Sequence, residues 1–431
     1  MKSIETGAAP ASERTIQEQI IEIGRKARAA SRSLMGLTTE TRNRGLLAMA
    51  DALDDHRQVI REENEKDVAD GRENKLTDAL VDRLILNESR LDAMIGGLRS
   101  IAELPDPVGR TLKSWEKENG LLLNKMSVPI GVIGMIYESR PNVTADAAAL
   151  CLKAANAVIL RGGSEALRSN RAIATAMLEG AASAGLPAHA LQLIPMRDRA
   201  AVNALITMDE YVDVIIPRGG EGLIRAVSEN ATVPVLKHYK GVCHVYVDRH
   251  ADLEKAKQIV LNAKCQRPGV CNAAETLLVH RDIAADWLPV MAEALVNEGV
   301  ELRGCEESRQ IVPEMKAATE EDWETEYLDL ILSVRVVNDH EQAVYHINNY
   351  GSGHSDAVVS EEKEVQEHFG KTVDSAAVYI NASTRFTDGA EFGMGAEIGI
   401  STDRLHARGP VALEELTSYK YVIAGNGQIR E

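Results

Sequence analysis

A two-part α/β protein built on parallel sheets is what this sequence predicts, and three observations predict it. The 431 residues exceed the ~250–300 at which a single core stops growing, so the chain divides into two or three domains. Strand-like and helix-like runs alternate over 128–236, and a second alternating series begins at Cys243. Aromatic residues make up only 4% against 45% hydrophobic, so Ala, Val, Ile and Leu must build the cores.

The first stretch, MKSIETGAAPASERTIQEQ, reads as a mobile tail, because it lacks the basic end and apolar run of a secretory signal. Residues 14–104 look helical. Thr38 is placed to cap a long helix in which Leu46, Leu47, Met49, Ala50 and Leu53 recur at helical spacing, and Gly71 suits its end. A further amphipathic stretch runs from Thr77 to Ile101, and PDPVGR (105–110) is a turn. LLLNKMSVPIGVIGMIYE holds two strand runs, with Ile130–Ile136 apolar enough for a strand buried on both faces. TADAAALCLKAAN reads as a helix and AVILRGG as a strand with a glycine turn. SEALRSNRAIATAMLEGAASAG reads as a helix capped by Ser164 and ended by Gly185. LQLIP, RAAVNALITM, VDVIIPRGG, EGLIRAVSEN and VPVLKH continue the alternation. Repeats of this length imply right-handed crossovers, so 128–236 reads as a doubly wound dinucleotide-type domain. In the second series CHVYVD, TLLVH, DLILSVRVV, DAVVS and AAVYI are strands, with helices at 252–264, 282–298, 339–349 and 361–370.

Composition excludes several roles. The net charge of −17 argues against a nucleic-acid or anionic-membrane partner, since phosphates favour Lys and Arg. No apolar run reaches ~18 residues, the span of a membrane helix. Five irregularly spaced cysteines do not make a disulfide scaffold, and the cytoplasm is the expected compartment. Cys265 and Cys271 have no second pair or histidine cluster in sequence, so no metal is expected.

Several stretches are suited to chemistry. In YESRPNVTADAAALC a strand end meets a helix start, a standard ligand position. ILRGGSEA repeats this with Gly162, Gly163 and Ser164, where Arg161 and Arg168 are placed for a ribose phosphate. IIPRGGEG, with Arg218, Gly219 and Gly220, is a third such edge. One glycine pair is as readily a tight turn; three in one sheet favour a cofactor. A lone cysteine is most often buried and inert. Cys271, however, follows a Pro-Gly break in QRPGVCN, with Arg267 nearby to favour thiolate. Cys151 and Cys243 sit inside apolar patterns, and Cys265 stays undecided. His354, Ser352, Ser355 and the glycines of HINNYGSGHSDAVV could surround an anion or be merely a solvated turn. EFGMGAEIGISTDRLHARGP (391–410) is too Gly-rich for regular structure.

Together NAKCQRPGVCNAAETLLVH, AVYHINNYGSGHSDAVV and FGMGAEIGISTDRLHARGPVALEELTSYKYV resemble the gamma-glutamyl phosphate reductases (glutamate-5-semialdehyde dehydrogenases) of the aldehyde dehydrogenase superfamily. The resemblance runs from about residue 16 to the end. It implies an aldehyde-dehydrogenase-like fold: an NADP-binding domain (1–112 and 128–240), a catalytic domain (241–418) and a small oligomerisation flap (113–127 and 419–431). The implied reaction is the NADPH-dependent conversion of L-glutamate 5-phosphate to L-glutamate 5-semialdehyde, phosphate and NADP+, the second step of proline biosynthesis. Cys271 would be the nucleophile, with its own N–H and the Asn142 amide as oxyanion donors. Arg161, Gly162, Gly163, Ser164, Arg218, Gly219 and Gly220 would bind the cofactor. Arg161 would take the 2′-phosphate, and Arg267, His354 and Ser355 the substrate phosphate. Glutamate 5-kinase is the implied metabolic partner and a homo-oligomer the implied assembly. Hydrolytic relatives carry a glutamate base in the segment matching LKHYKGVCHVYVD; here Lys240-Gly241 stand in its expected place. Two rival readings are a hydrolytic aldehyde dehydrogenase and a non-catalytic NADP-binding scaffold.

Overall fold

The computed structural model describes residues 15–430 and divides into two compact units, one up to Leu236 with 412 onward, the other Lys237–Val411. The expected tail thus falls largely outside the described residues. The first unit opens with five helices: α1 (Ile16–Leu34), α2 (Thr39–Asp55), α3 (Arg57–Glu73), α4 (Asp78–Leu84) and α5 (Glu88–Glu103). Thr38 caps α2 by accepting from the Thr41 N–H. Two sequence expectations change here. The long helix after Thr38 breaks at His56 into two, and Gly71 lies inside α3, which ends at Glu73. A Cβ at Gly71 would sit 3.1 Å from a Leu76 methyl, so the glycine lies at a close helix contact and not at a helix stop. The stretch from Thr77 is likewise two helices, because Asn87 caps a new one.

Strands β1 (Thr111–Glu116) and β2 (Leu122–Pro129) form a hairpin, and the last strand of the chain, Thr417–Ala424, pairs antiparallel with β2. This small sheet leaves Leu112, Tyr419, Tyr421 and Ile423 more than half exposed. A four-stranded parallel sheet follows, ordered β5-β4-β3-β6, from β3 (Val132–Tyr137), β4 (Ala157–Gly162), β5 (Leu191–Leu193) and β6 (Val214–Arg218). The helices α6 (Val143–Lys153), α7 (Leu167–Ser183), α8 (Arg199–Ile206) and α9 (Glu221–Asn230) alternate with them. Every residue of β3 is buried, as its unbroken apolar run requires. VPVLKH, expected as a strand, contributes only one isolated bridge, Ile215 to Val235.

The second unit is a seven-stranded parallel sheet, ordered β10-β9-β11-β8-β7-β12-β13. Its strands are β7 (Cys243–Val247), β8 (Ala274–His280), β9 (Glu301–Gly304), β10 (Lys316–Ala317), β11 (Ile331–Val337), β12 (Ser355–Val359) and β13 (Ala377–Ile380). Helices α10 (Leu253–Cys265), α11 (Arg281–Asn297), α12 (Glu306–Ile311), α13 (His340–Tyr350) and α14 (Lys363–Thr372) connect them. The short β9 and β10 escape sequence reading, since two to four residues carry no period. Strand β8 is buried along its whole length at the sheet centre, and the turn before it carries Cys271. The Gly-rich 391–410 is mostly irregular; only β14 (Gly399–Ser401) and β15 (Gly409–Val411) pair. No helix among the described residues is long and apolar enough to cross a membrane.

Candidate active site

Cys271 sits in the turn between α10 and β8, half-buried, and its neighbours are fixed by hydrogen bonds on every side. The Asn272 amide donates to the Thr387 carbonyl at 2.9 Å, the Thr384 hydroxyl donates to the Asn272 carbonyl at 2.7 Å, and Arg385 donates to Asn272 Oδ1. The buried Cys243 thiol donates to the Cys271 carbonyl at 3.2 Å. Gly241 lies flat on the same backbone. A Cβ at 241 would fall 1.8 Å from the Cys271 carbonyl oxygen, so only glycine fits. A glutamate base at this position is therefore sterically excluded. Lys240 is also turned to a structural task, donating to the Glu324 carbonyl at 2.6 Å.

The side chain of the 237–241 segment that does reach the thiol is His238, which sequence reading passed over. The Cys271 thiol and ring nitrogens of His238 and His354 lie within 4.8 Å of one another. His238 Nδ1 contacts the Ile400 carbonyl at 2.8 Å; a carbonyl only accepts, so Nδ1 carries the proton and Nε2 the lone pair of the neutral ring. The carbonyl comes from the Gly-rich 391–410, which gives that segment a purpose that periodicity could not show.

The expected phosphate loop is more structural than expected. Ser355 is fully buried, and its hydroxyl lies 2.8 Å from His354 Nδ1 and 2.6 Å from the Thr387 hydroxyl. Ser352 accepts from the Val242 N–H at 2.9 Å. Ser355 therefore positions His354 and does not face a ligand. Arg267 is exposed and, among the described residues, has no hydrogen-bond or ion-pair partner. Arg385 joins it: burial first, then Arg267, push its guanidinium down, while the Cys271 side chain pulls the other way. Arg385 is thus a second cation in the field of the thiol, and sequence reading missed it. Its only signal was a lone arginine in NASTRFTDG.

In the other unit a cavity of about 600 Å³ opens at the carboxyl ends of β3 and β4, within the range of cofactor sites. Arg161, Gly163 and Ser164 line it, together with Leu76, Glu165, Arg197 and Arg199. Arg161 donates to the carbonyls of Gly162 and Arg197, and its buried Nε has no hydrogen-bond partner among the described residues. Gly162, Arg218, Gly219 and Gly220 do not line it. A Cβ at Gly162 would meet Asn170 at 2.0 Å and the Tyr137 ring at 2.9 Å, so packing calls for glycine there; at Gly219 it would meet only the movable side-chain ends of Glu138 and Leu223. Gly162 thus serves the packing of the protein against itself. Ser164 caps nothing; it begins a short 3-10 turn, Ser164–Ala166, ahead of α7. Arg168 is also unavailable, being paired with Asp67 and Asp70. Arg197 and Arg199, both exposed, are the cations left open at the rim.

Asn142 is the residue before α6, and its amide donates to Asp146 at 2.8 Å. One of its two N–H groups is thereby held and the other keeps a fixed direction. Burial pushes the Asp146 carboxyl up to about 6, against a smaller opposing pull from Asn142.

Residues 8–313 match the aldehyde dehydrogenase family. The gamma-glutamyl phosphate reductase of Moorella thermoacetica is 57% identical over 408 residues, covering 95% of this chain and 98% of that protein. That of Carboxydothermus hydrogenoformans is 54% identical over 413 residues, covering 96% and 100%. The crystal structure of gamma-glutamyl phosphate reductase from Thermotoga maritima superposes with a TM-score of 0.94 at 50% identity, covering 96% of this chain and 100% of that one. The chain belongs to the aldehyde dehydrogenase family, among its gamma-glutamyl phosphate reductases.

Proposed function

We propose that this protein reduces L-glutamate 5-phosphate to L-glutamate 5-semialdehyde with NADPH, through a thioacyl-enzyme on Cys271. The observation that carries the reading is the thiol itself, held at a turn beside two imidazoles and in the field of Arg385. An acyl phosphate is already activated, so a thiolate can displace phosphate directly. His238 Nε2 takes the thiol proton. Attack forms the S–C bond, and collapse of the tetrahedral oxyanion breaks the C–O bond to phosphate. Fixed donors at that oxyanion are each worth roughly 3–4 kcal/mol. The Cys271 N–H and the Asn142 amide fill that role, the latter on the strength of the family resemblance. Arg267 and Arg385 place positive charge for the phosphate.

The nicotinamide cofactor, when bound, supplies the hydride that reduces the thioester carbonyl. The resulting hemithioacetal oxyanion then collapses, breaking the C–S bond and restoring the thiolate. The residues of the 600 Å³ cavity fit such a cofactor: Arg161 keeps an unpaired buried Nε, and Arg197 and Arg199 suit a 2′-phosphate, which supports NADPH over NADH. Within proline biosynthesis the acyl phosphate comes from a glutamate 5-kinase. Five unpaired cysteines favour the cytoplasm as the place of work. The exposed apolar face of the small antiparallel sheet supports assembly into a homo-oligomer.

The reverse reaction tests the chemistry. With no carboxylate base at Lys240-Gly241, water releases the thioester poorly and phosphate must do so. Oxidation of the semialdehyde by NADP+ should scale with phosphate and fall near zero without it. Arg267→Ala and Arg385→Ala should each raise the phosphate requirement more than they change NADP+ binding. Sustained turnover in phosphate-free buffer contradicts the mechanism and favours a hydrolytic enzyme.

A further inference from the structure

The group formed by Cys271, His238 and His354 has a second chemistry besides acyl transfer. One thiol and two imidazoles within 4.8 Å are the donor set of a three-ligand zinc site with an open fourth position. His354 is buried while His238 and Cys271 are half-buried. The outer contacts also suit a metal. His238 gives its Nδ1–H to the Ile400 carbonyl at 2.8 Å, which leaves Nε2 as the ligand atom, and Ser355 and Cys243 hold the ring of His354. We propose that these three residues bind Zn²⁺, which blocks the protein by tying up its reactive thiol. The thiol loses its proton to solvent as the Zn–S bond forms, so no oxidant or further reactant enters. Zn–S and Zn–N bonds of about 2.3 and 2.0–2.1 Å put tetrahedral ligand atoms roughly 3.3–3.6 Å apart. The group must therefore close by about 1 Å, within reach of side-chain rotation at Cys271 and His238. Thiolate and imidazole select Zn²⁺ over the hard Mg²⁺ and Ca²⁺.

From the functional reading this takes only that Cys271 is the reactive thiol. Its test reads binding and alkylation, so a failed reductase assay leaves it standing. The full chain is titrated with Zn²⁺ against a chromophoric chelator, with Mg²⁺ as the control. Alkylation of Cys271 by iodoacetamide is followed by peptide mass spectrometry. The expected result is one Zn²⁺ per chain, at least about tenfold slower alkylation of Cys271, and full reversal by EDTA. Cys271→Ser and His238→Asn should each weaken binding at least about tenfold. Co²⁺ should give a thiolate charge-transfer band in the wild type that is absent from Cys271→Ser. His238→Asn changes a half-buried residue and keeps the test open if the cysteine variant misfolds. Zinc that binds both variants as tightly as wild type, or that leaves the alkylation rate of Cys271 unchanged, overturns the proposal.

Discussion

Burial pushes the thiols of Cys151, Cys243 and Cys265 up, and Cys305 is engaged as the cap of α12, accepting from the Ser308 N–H. Cys271 alone sits beside two imidazoles and in the field of Arg385. Iodoacetamide should therefore label Cys271 first among the five, a pattern a non-catalytic scaffold has no reason to show. At the cofactor cavity, a bidentate contact between an arginine and a 2′-phosphate is worth about 1.5–3 kcal/mol. Arg161→Ala or Arg197→Ala should lower the preference for NADPH over NADH roughly ten- to a hundredfold, read from kcat/KM with each cofactor. Because Arg161 also donates to the Arg197 carbonyl, the two effects should not add. If neither variant moves the ratio, the phosphate assignment is wrong. Cys271 and Arg161 stood out as candidates in the sequence because each lies at or close to a glycine turn. His238, Arg385 and Arg197 were not, because their importance comes from what long-range folding places beside them.

At the scale of elements, the turn carrying Cys271 and the start of α6 are the two features most exposed to test. Gly241→Ala should disturb the Cys271 backbone. Overpacking against rigid backbone costs about 1–3 kcal/mol or more, and kcat should fall further than stability alone explains. An alanine variant with normal kcat and unchanged melting would show that the turn moves freely. The start of α6 gives a pH signature. The folded state holds a proton on Asp146 up to about 6, whereas an unfolded aspartate releases it near 4, so this group favours folding at low pH. Its contribution is lost as pH rises through that window. Asp146→Asn should flatten the stability slope between about pH 4 and 6. Near neutrality it should gain about 1–3 kcal/mol, reduced because the carboxyl is only half-buried. Denaturant melts at several pH values check this; an unchanged slope removes Asp146 from the account. Long strands and helices were readable from their periods, and β3 from its apolar run. The break at His56, the short β9 and β10, and the reason for Gly162 were not readable, since tertiary neighbours decide them.

For the whole molecule, the three-stranded sheet of β1, β2 and the final strand, β16, presents Leu112, Tyr421 and Ile423 to solvent. An exposed apolar sheet of this kind calls for a partner surface. Tyr421→Asp with Ile423→Asp should shift the assembly to monomers in analytical ultracentrifugation, while a wild-type chain that sediments as a monomer contradicts the proposed oligomer. The central claim, that Cys271 carries an acyl group from L-glutamate 5-phosphate to the aldehyde level, is tested most directly by one coupled assay. A glutamate 5-kinase with glutamate and ATP makes the acyl phosphate in place, and NADPH is followed at the same time as semialdehyde. Wild type should consume NADPH and form semialdehyde in equal amounts. Cys271→Ser, still folded and still binding NADPH, should lose the activity by several orders of magnitude. A serine variant that keeps more than about a tenth of wild-type turnover, or a wild type that consumes no NADPH, would contradict the claim.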